Sequence, residues 1–177
     1  MAIQFSPIHK QILSLYKQRD TAITLRKAAV LQKTVKTFAE IHALAVFIIR
    51  HLGDRKEGRK LLKEAEARTQ TYFEQIQLAD AVLNALHDLT WGKRLIAQTT
   101  TAVKHEASET ICILAEVISH PDGLNDQKGA RELFKTALAL ADDRKQRLSI
   151  ADSIENSLED QTWSDKIVAT AGPKIRQ

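Results

Sequence analysis

Apolar residues recur along this chain at helical spacing, and the recurrence itself repeats. Four segments align without gaps from Asp54, Asp88, Asp126 and Asp160, which stand 34, 38 and 34 residues apart. Four residues after each aspartate comes a small residue: Gly58, Gly92, Ala130, Ser164. At seven and eight come the apolar pairs Leu61/Leu62, Leu95/Ile96, Leu133/Phe134 and Ile167/Val168, and at eleven a second small site, Ala65, Thr99, Ala137 and Ala171. Those offsets fall on one face of an α-helix. Each aspartate is then a predicted N-cap, its carboxylate accepting from free amides of the first turn, and Glu57 predicts a capping box with Asp54.

A second pattern lies between these helices. Leu44-Ala45, Leu78-Ala79, Leu114-Ala115 and Ile150-Ala151 are in phase, with Ile48, Val82, Ile118 and Ile154 one turn further on. The third copy carries four extra residues, placed in His120-Pro-Asp-Gly-Leu-Asn125, a stretch with turn chemistry. Each unit reads as helix, short turn, helix, and the small residues at matched sites let the two axes approach closely. Upstream, Ser6-Pro7 predicts an N-cap with proline at N1 and a helix to about Gln18. Asp20 stands 34 residues before Asp54 and predicts a helix from about Thr21 to Thr37. Only part of the core pattern survives there, Ile8 being one match and Thr24 at the small site another, as expected of a degenerate capping unit. Gly172-Pro173 predicts the last helix end.

The expected architecture is therefore all-α, about ten helices in a single domain spanning 1–177. Its parts are a degenerate N-terminal hairpin over 1–37, repeats over 38–71, 72–105, 106–142 and 143–171, and a tail over 172–177. The paired-helix unit resembles the tetratricopeptide repeat. Leu-Ala stands where that family has Leu-Gly in its first helix, Ile or Val at the site of the family's first-helix aromatic, and Ala130, Phe134, Ala137 match its second-helix series. The family's tryptophan near the start of the first helix and its unit-closing proline are missing, and the turn inside each pair is one residue longer. The resemblance covers about residues 38–171 and implies an α-solenoid, stacked right-handed, whose first helices line a concave groove for a peptide or partner protein.

Equivalent positions in such an array form files. Two residues beyond the first-helix Leu stand Val46, Asp80, Glu116 and Asp152; six beyond, Arg50, Asn84, His120 and Asn156; just before it, Ala43, Gln77, Ile113 and Ser149. The predicted groove is thus Gln77, Asp80, Asn84, Glu116, His120, Ser149, Asp152 and Asn156, a polar and locally acidic face suited to a peptide bearing Lys or Arg. The plainer reading is an ordinary solvated helix face. Trp91 and Trp163 share one repeat position, as anchors for a partner or as packing over a hairpin end.

Composition changes this picture little. With 44% hydrophobic residues but 5% aromatics, six glycines, three prolines and one cysteine, the chain is long enough for a core and poor in turns. Cys112 has no disulfide partner in the chain; its repeat equivalents His42, Ile76 and Leu148 make it a small hydrophobe. The longest apolar run, Ala43–Ile49, is too short to span a bilayer, and the N-terminus lacks a signal-peptide pattern, so a cytoplasmic location is expected.

Charge adds an alternative. The net +4 is uneven, with eight Lys and Arg against Asp20 and Glu40 in residues 1–53. Arg59/Lys60, Lys93/Arg94 and Arg131 recur on the polar side of the second helices. A nucleic acid or other polyanion is thus the alternative partner, ranked lower because no aromatic platform or glycine-rich loop accompanies the basic residues. No phosphate loop, Gly-x-Ser-x-Gly, His-Glu-x-x-His or Cys-x-x-Cys occurs. The six histidines, His9, His42, His51, His87, His105 and His120, are scattered among repeat positions. The expectation is a non-enzymatic interaction module or scaffold, without cofactor or metal, monomeric or weakly dimeric; an accessory subunit of an enzyme ranks last.

Overall fold

The computed structural model describes residues 6–18, 20–103 and 107–171. Every regular element among them is helical: α1 (Pro7–Leu15), α2 (Thr21–Gln32), α3 (Phe38–Phe47), α4 (Arg55–Glu66), α5 (Tyr72–Asp80), α6 (Leu89–Ala102), α7 (Ser108–Ser119), α8 (Gln127–Leu140), α9 (Arg144–Leu158) and α10 (Gln161–Thr170). Two π-helical turns, Ile48–Leu52 and Ala81–Ala85, continue α3 and α5. No helix among the described residues is long and apolar enough to cross a membrane. The chain forms two compact units, Met1–Asp88 and Leu89–Gln177. Gly172-Pro173 and His105 lie outside the described residues.

At three of the four repeated aspartates the side-chain cap forms as the pattern requires. Asp54 accepts from Glu57 N at 2.9 Å, Asp126 from Gly129 N at 2.8 Å and Asp160 from Trp163 N at 2.9 Å. Asp20 caps α2 through Ile23 N at 3.0 Å, and Ser6 caps α1 through His9 N at 3.0 Å. The capping box lies elsewhere than expected. Glu57 Oε1 is taken by Lys60 Nζ at 3.2 Å, whereas reciprocal boxes form at Thr37/Glu40 and Thr71/Glu74, at the starts of α3 and α5. Those boxes also correct the earlier helix. α2 stops at Gln32 rather than Thr37 because Thr37 is the N-cap of α3, and α1 ends at Leu15, short of Gln18.

In the first unit α3 packs on α4 and on α1, α1 on α2, and α5 on both α3 and α4. Its core is built from Leu44, Ala45, Leu62, Ala65, Leu78, Ala79 and Val82, none of them measurably exposed. At Gly58 the second helix closes on the first so tightly that a Cβ would overlap Ile49 Cγ1. In the second unit α7 packs on α8, α6 and α9, and α9 on α8 and α10. Leu114, Ala115, Ala130, Phe134, Ala137, Ala151 and Ile154 are fully buried there. Each large side chain so buried contributes roughly 1.5–3 kcal/mol. Val168, expected in the core, is 43% exposed, since the last apolar pair turns only Ile167 inward.

One backbone feature recurs in both units. Gly53 (φ 70°), His87 (φ 52°), Asn125 (φ 51°) and Glu159 (φ 52°) are the left-handed residues of the described chain, and each immediately precedes one of the four aspartates. The chain thus enters every second helix through a left-handed residue followed by an aspartate, whether or not that residue is glycine.

Candidate functional site

In the second unit the first-helix file becomes one site. α7 and α9 lie side by side, and Glu116 on α7, His120 just after it, and Ser149, Asp152 and Asn156 on α9 line a single open cavity of about 540 Å³. Five of the predicted groove residues therefore meet. Ser119, Pro121, Ser153 and Ser157 complete the wall. The serines escaped the file-by-file reading, although Ser149, Ser153 and Ser157 sit at i, i+4, i+8 on α9, a single helix face.

Glu116 is the best-held anion of this wall. Its Oε1 accepts from Ser153 Oγ at 2.5 Å, a neutral partner that orients the carboxylate without cancelling its charge. Asp152, one residue earlier on α9, is exposed. His120 is exposed too, and its Nδ1 accepts from Asp122 N at 3.2 Å within the inserted turn. One turn before Glu116, Cys112 is 6% exposed, with Sγ 4.0 Å from Glu116 Oε1. Burial, with the nearby Glu116 and Glu109 charges, pushes its thiol up to about 11 against the pull of Ser153. At neutral pH it is a protonated filler and no nucleophile.

The remaining file members lie in the first unit, around α5 and its π-turn. Asn84 Nδ2 donates to Asp80 Oδ1 at 2.6 Å, and Asn84 Oδ1 is buried without a hydrogen-bond partner. The Gln77 carbonyl lies 3.1 Å from His42 Nε2. His42 stacks on Phe38, centroids 5.4 Å apart. Burial lowers its pKa, and the cation of Arg50 does so further, while the Gln77 carbonyl and the Asp80 charge act the other way. Asp80 is thus engaged within its own unit.

The paired tryptophans differ. Trp91 is 8% exposed; Trp163 is half-buried, with the Arg131 guanidinium 5.0 Å from its ring centroid. Much of the basic second-helix file is occupied as well. Arg131 pairs with Asp160 at 2.7 Å, Arg59 with Asp88 at 2.7 Å and Lys60 with Glu57 at 3.2 Å. The two arginine pairs have the same 29-residue reach, from the second helix of one predicted repeat to the cap of the next.

Among the described residues no group of three His, Cys, Asp or Glu is placed to hold a metal ion. No protein-family model, no curated protein and no solved structure matches the chain.

Proposed function

We propose that the chain is a non-enzymatic interaction module that captures a Lys- or Arg-bearing segment of a partner protein in the polar cavity between α7 and α9. The observation carrying this reading is that Glu116, His120, Ser149, Asp152 and Asn156 converge on one cavity of about 540 Å³. Two carboxylates supply charge complementarity, which steers a cation and fixes its register. Hydroxyl and amide groups beside them can pair with a peptide backbone. The cavity falls within the size range of binding sites, though it is more polar than most small-molecule pockets, which suits a peptide better than an apolar ligand.

The architecture that goes with this reading is a tetratricopeptide-like array of helical hairpins. Three observations support it: matched burial of Leu44, Leu78, Leu114 and Ile150, a left-handed residue before each repeated aspartate, and equal spacing of Arg59–Asp88 and Arg131–Asp160. The polyanion alternative is weaker. Arg59, Lys60 and Arg131 are already paired with carboxylates, so a phosphate backbone would have to displace them.

The test is a fluorescence titration of the chain with labelled peptides of alternating Lys-Ala, Arg-Ala and Glu-Ala. The basic peptides bind and the acidic one does not; the double substitution Glu116→Lys, Asp152→Lys removes binding while the helical circular dichroism signal stays the same. Persistent binding in that variant contradicts the site.

A further inference from the structure

The N-terminal helix pair carries a second surface of opposite chemistry. Ile12, Leu15, Ala28 and Leu31 face inward, yet Leu13, Tyr16, Ile23, Leu25 and Val30 are 43, 45, 41, 50 and 62% exposed. Of these, Val30 lines the space between α1 and α2, whereas the Tyr16 ring packs edge-on against Phe47 and His51. Between α1 and α2 runs a cleft of about 370 Å³, lined by the buried Leu15 and Leu31, the exposed Val30, and Arg26 and Lys27. Arg26 and Lys27 are the charged residues of its lining. Residues 1–37 contain seven Lys and Arg and a single acid, Asp20, whose carboxylate already caps α2.

We infer that this cleft docks an acidic amphipathic helix of a partner protein. An apolar side chain of that helix fills the floor over Leu15 and Leu31, and carboxylates beside it meet Arg26 and Lys27. Helix-in-groove binding uses this combination of apolar anchors at helical spacing and flanking charge. The same features disfavour other occupants. A second copy docked on this face by two-fold symmetry would bring two strongly cationic surfaces together. A phosphate backbone offers nothing to the apolar floor. A bilayer surface cannot enter a cleft between two helices.

Fluorescence anisotropy with two labelled probe peptides tests the inference on the full chain. Both are of roughly 18 residues, long enough to hold a helix, and share a leucine stripe; one carries Glu at its polar positions and the other Lys. The Glu probe binds, more weakly at about 0.5 M than at about 0.05 M salt, and keeps its affinity in the Glu116→Lys, Asp152→Lys variant; in that variant, whose polar cavity no longer takes cationic peptides, the Lys probe does not bind. Arg26→Glu with Lys27→Glu, and separately Val30→Asp, each weaken binding by about tenfold or more. Both leave the circular dichroism spectrum unchanged, and Lys56→Glu, at an exposed position of α4, leaves the affinity unchanged. Absence of binding by the Glu probe, or equal binding of both probes in the Glu116→Lys, Asp152→Lys variant, overturns the inference. So does a dimer in sedimentation that Val30→Asp dissociates, which would make the occupant a second copy. Co-sedimentation with phosphatidylserine vesicles that the same substitutions abolish would overturn it in favour of a membrane surface.

Discussion

The two compact units use the same turn and reach it differently. In the first, the helices that precede the turns, α3 and α5, unwind into π-turns at Ile48–Leu52 and Ala81–Ala85. In the second, α9 runs as a regular α-helix to Leu158, and α7 ends at the inserted residues after Ser119. Ile150 stands as far before Asp160 as Leu44 before Asp54, so sequence length alone does not select the winding. What is held constant is the arrival point: a left-handed residue, then an aspartate. Charge separates the units as well. The first has fourteen Lys and Arg against nine Asp and Glu, the second twelve against thirteen. A shared turn leaves the helix faces free to vary: the polar cavity lies between α7 and α9 of the second unit, the cleft lined by Arg26 and Lys27 between α1 and α2 of the first.

The strongest way to break this comparison is at the small site. Gly58 lies against Ile49 of the π-turn, while one of its equivalents in the second unit, Ala130, is fully buried and already carries a Cβ. Gly58→Ala is expected to destabilise by about 1–2 kcal/mol, because overpacking outweighs the gain in helix propensity. The measurement is urea denaturation followed by circular dichroism. A stabilised variant would show that α4 and the π-turn are not held at this contact.

Next come the left-handed residues. Gly53→Ala, which forces a Cβ into a left-handed conformation, should cost about 1 kcal/mol. His87→Gly and Glu159→Gly should each raise stability by somewhat less, since the added chain entropy of glycine offsets part of the relief. A loss of stability at His87 or Glu159 would mean that the turn geometry is not shared between the units.

The smallest effect is the pH response of His42, which belongs to the first unit alone. Its folded pKa lies below the ordinary 6.5, chiefly through burial, so the unfolded chain takes up its proton first. Its contribution is fully present above pH 6.5 and falls as the pH drops through that value towards the folded pKa. Thermal melts from pH 7.5 down to 5.5 should show this loss, and His42→Gln should flatten it. An unchanged slope in that variant assigns the acid sensitivity to other groups.

Much of this was legible in the sequence because periodicity reports burial. The matched sites Leu44, Leu78, Leu114, Ile150 and the caps Asp54, Asp126, Asp160 all stand where spacing put them. The boxes at Thr37-x-x-Glu40 and Thr71-x-x-Glu74 were also readable, as a Thr-x-x-Glu before an apolar run. The left-handed state of His87 and Glu159 was not, because neither residue type requires it. Nor was the split of the acidic file: spacing puts Asp80, Glu116 and Asp152 in one row, but only packing decides that Asp80 is engaged by Asn84 while Glu116 and Asp152 share a cavity.

The most direct test of that last distinction is backbone amide NMR of the chain titrated with the Arg-Ala peptide. The account predicts saturable shifts confined to α7 and α9 around Ser119, Ser149, Asp152, Ser153 and Asn156, with α5 and its π-turn unmoved. Shifts centred on Asp80 and Asn84 instead, or none at all, would contradict it.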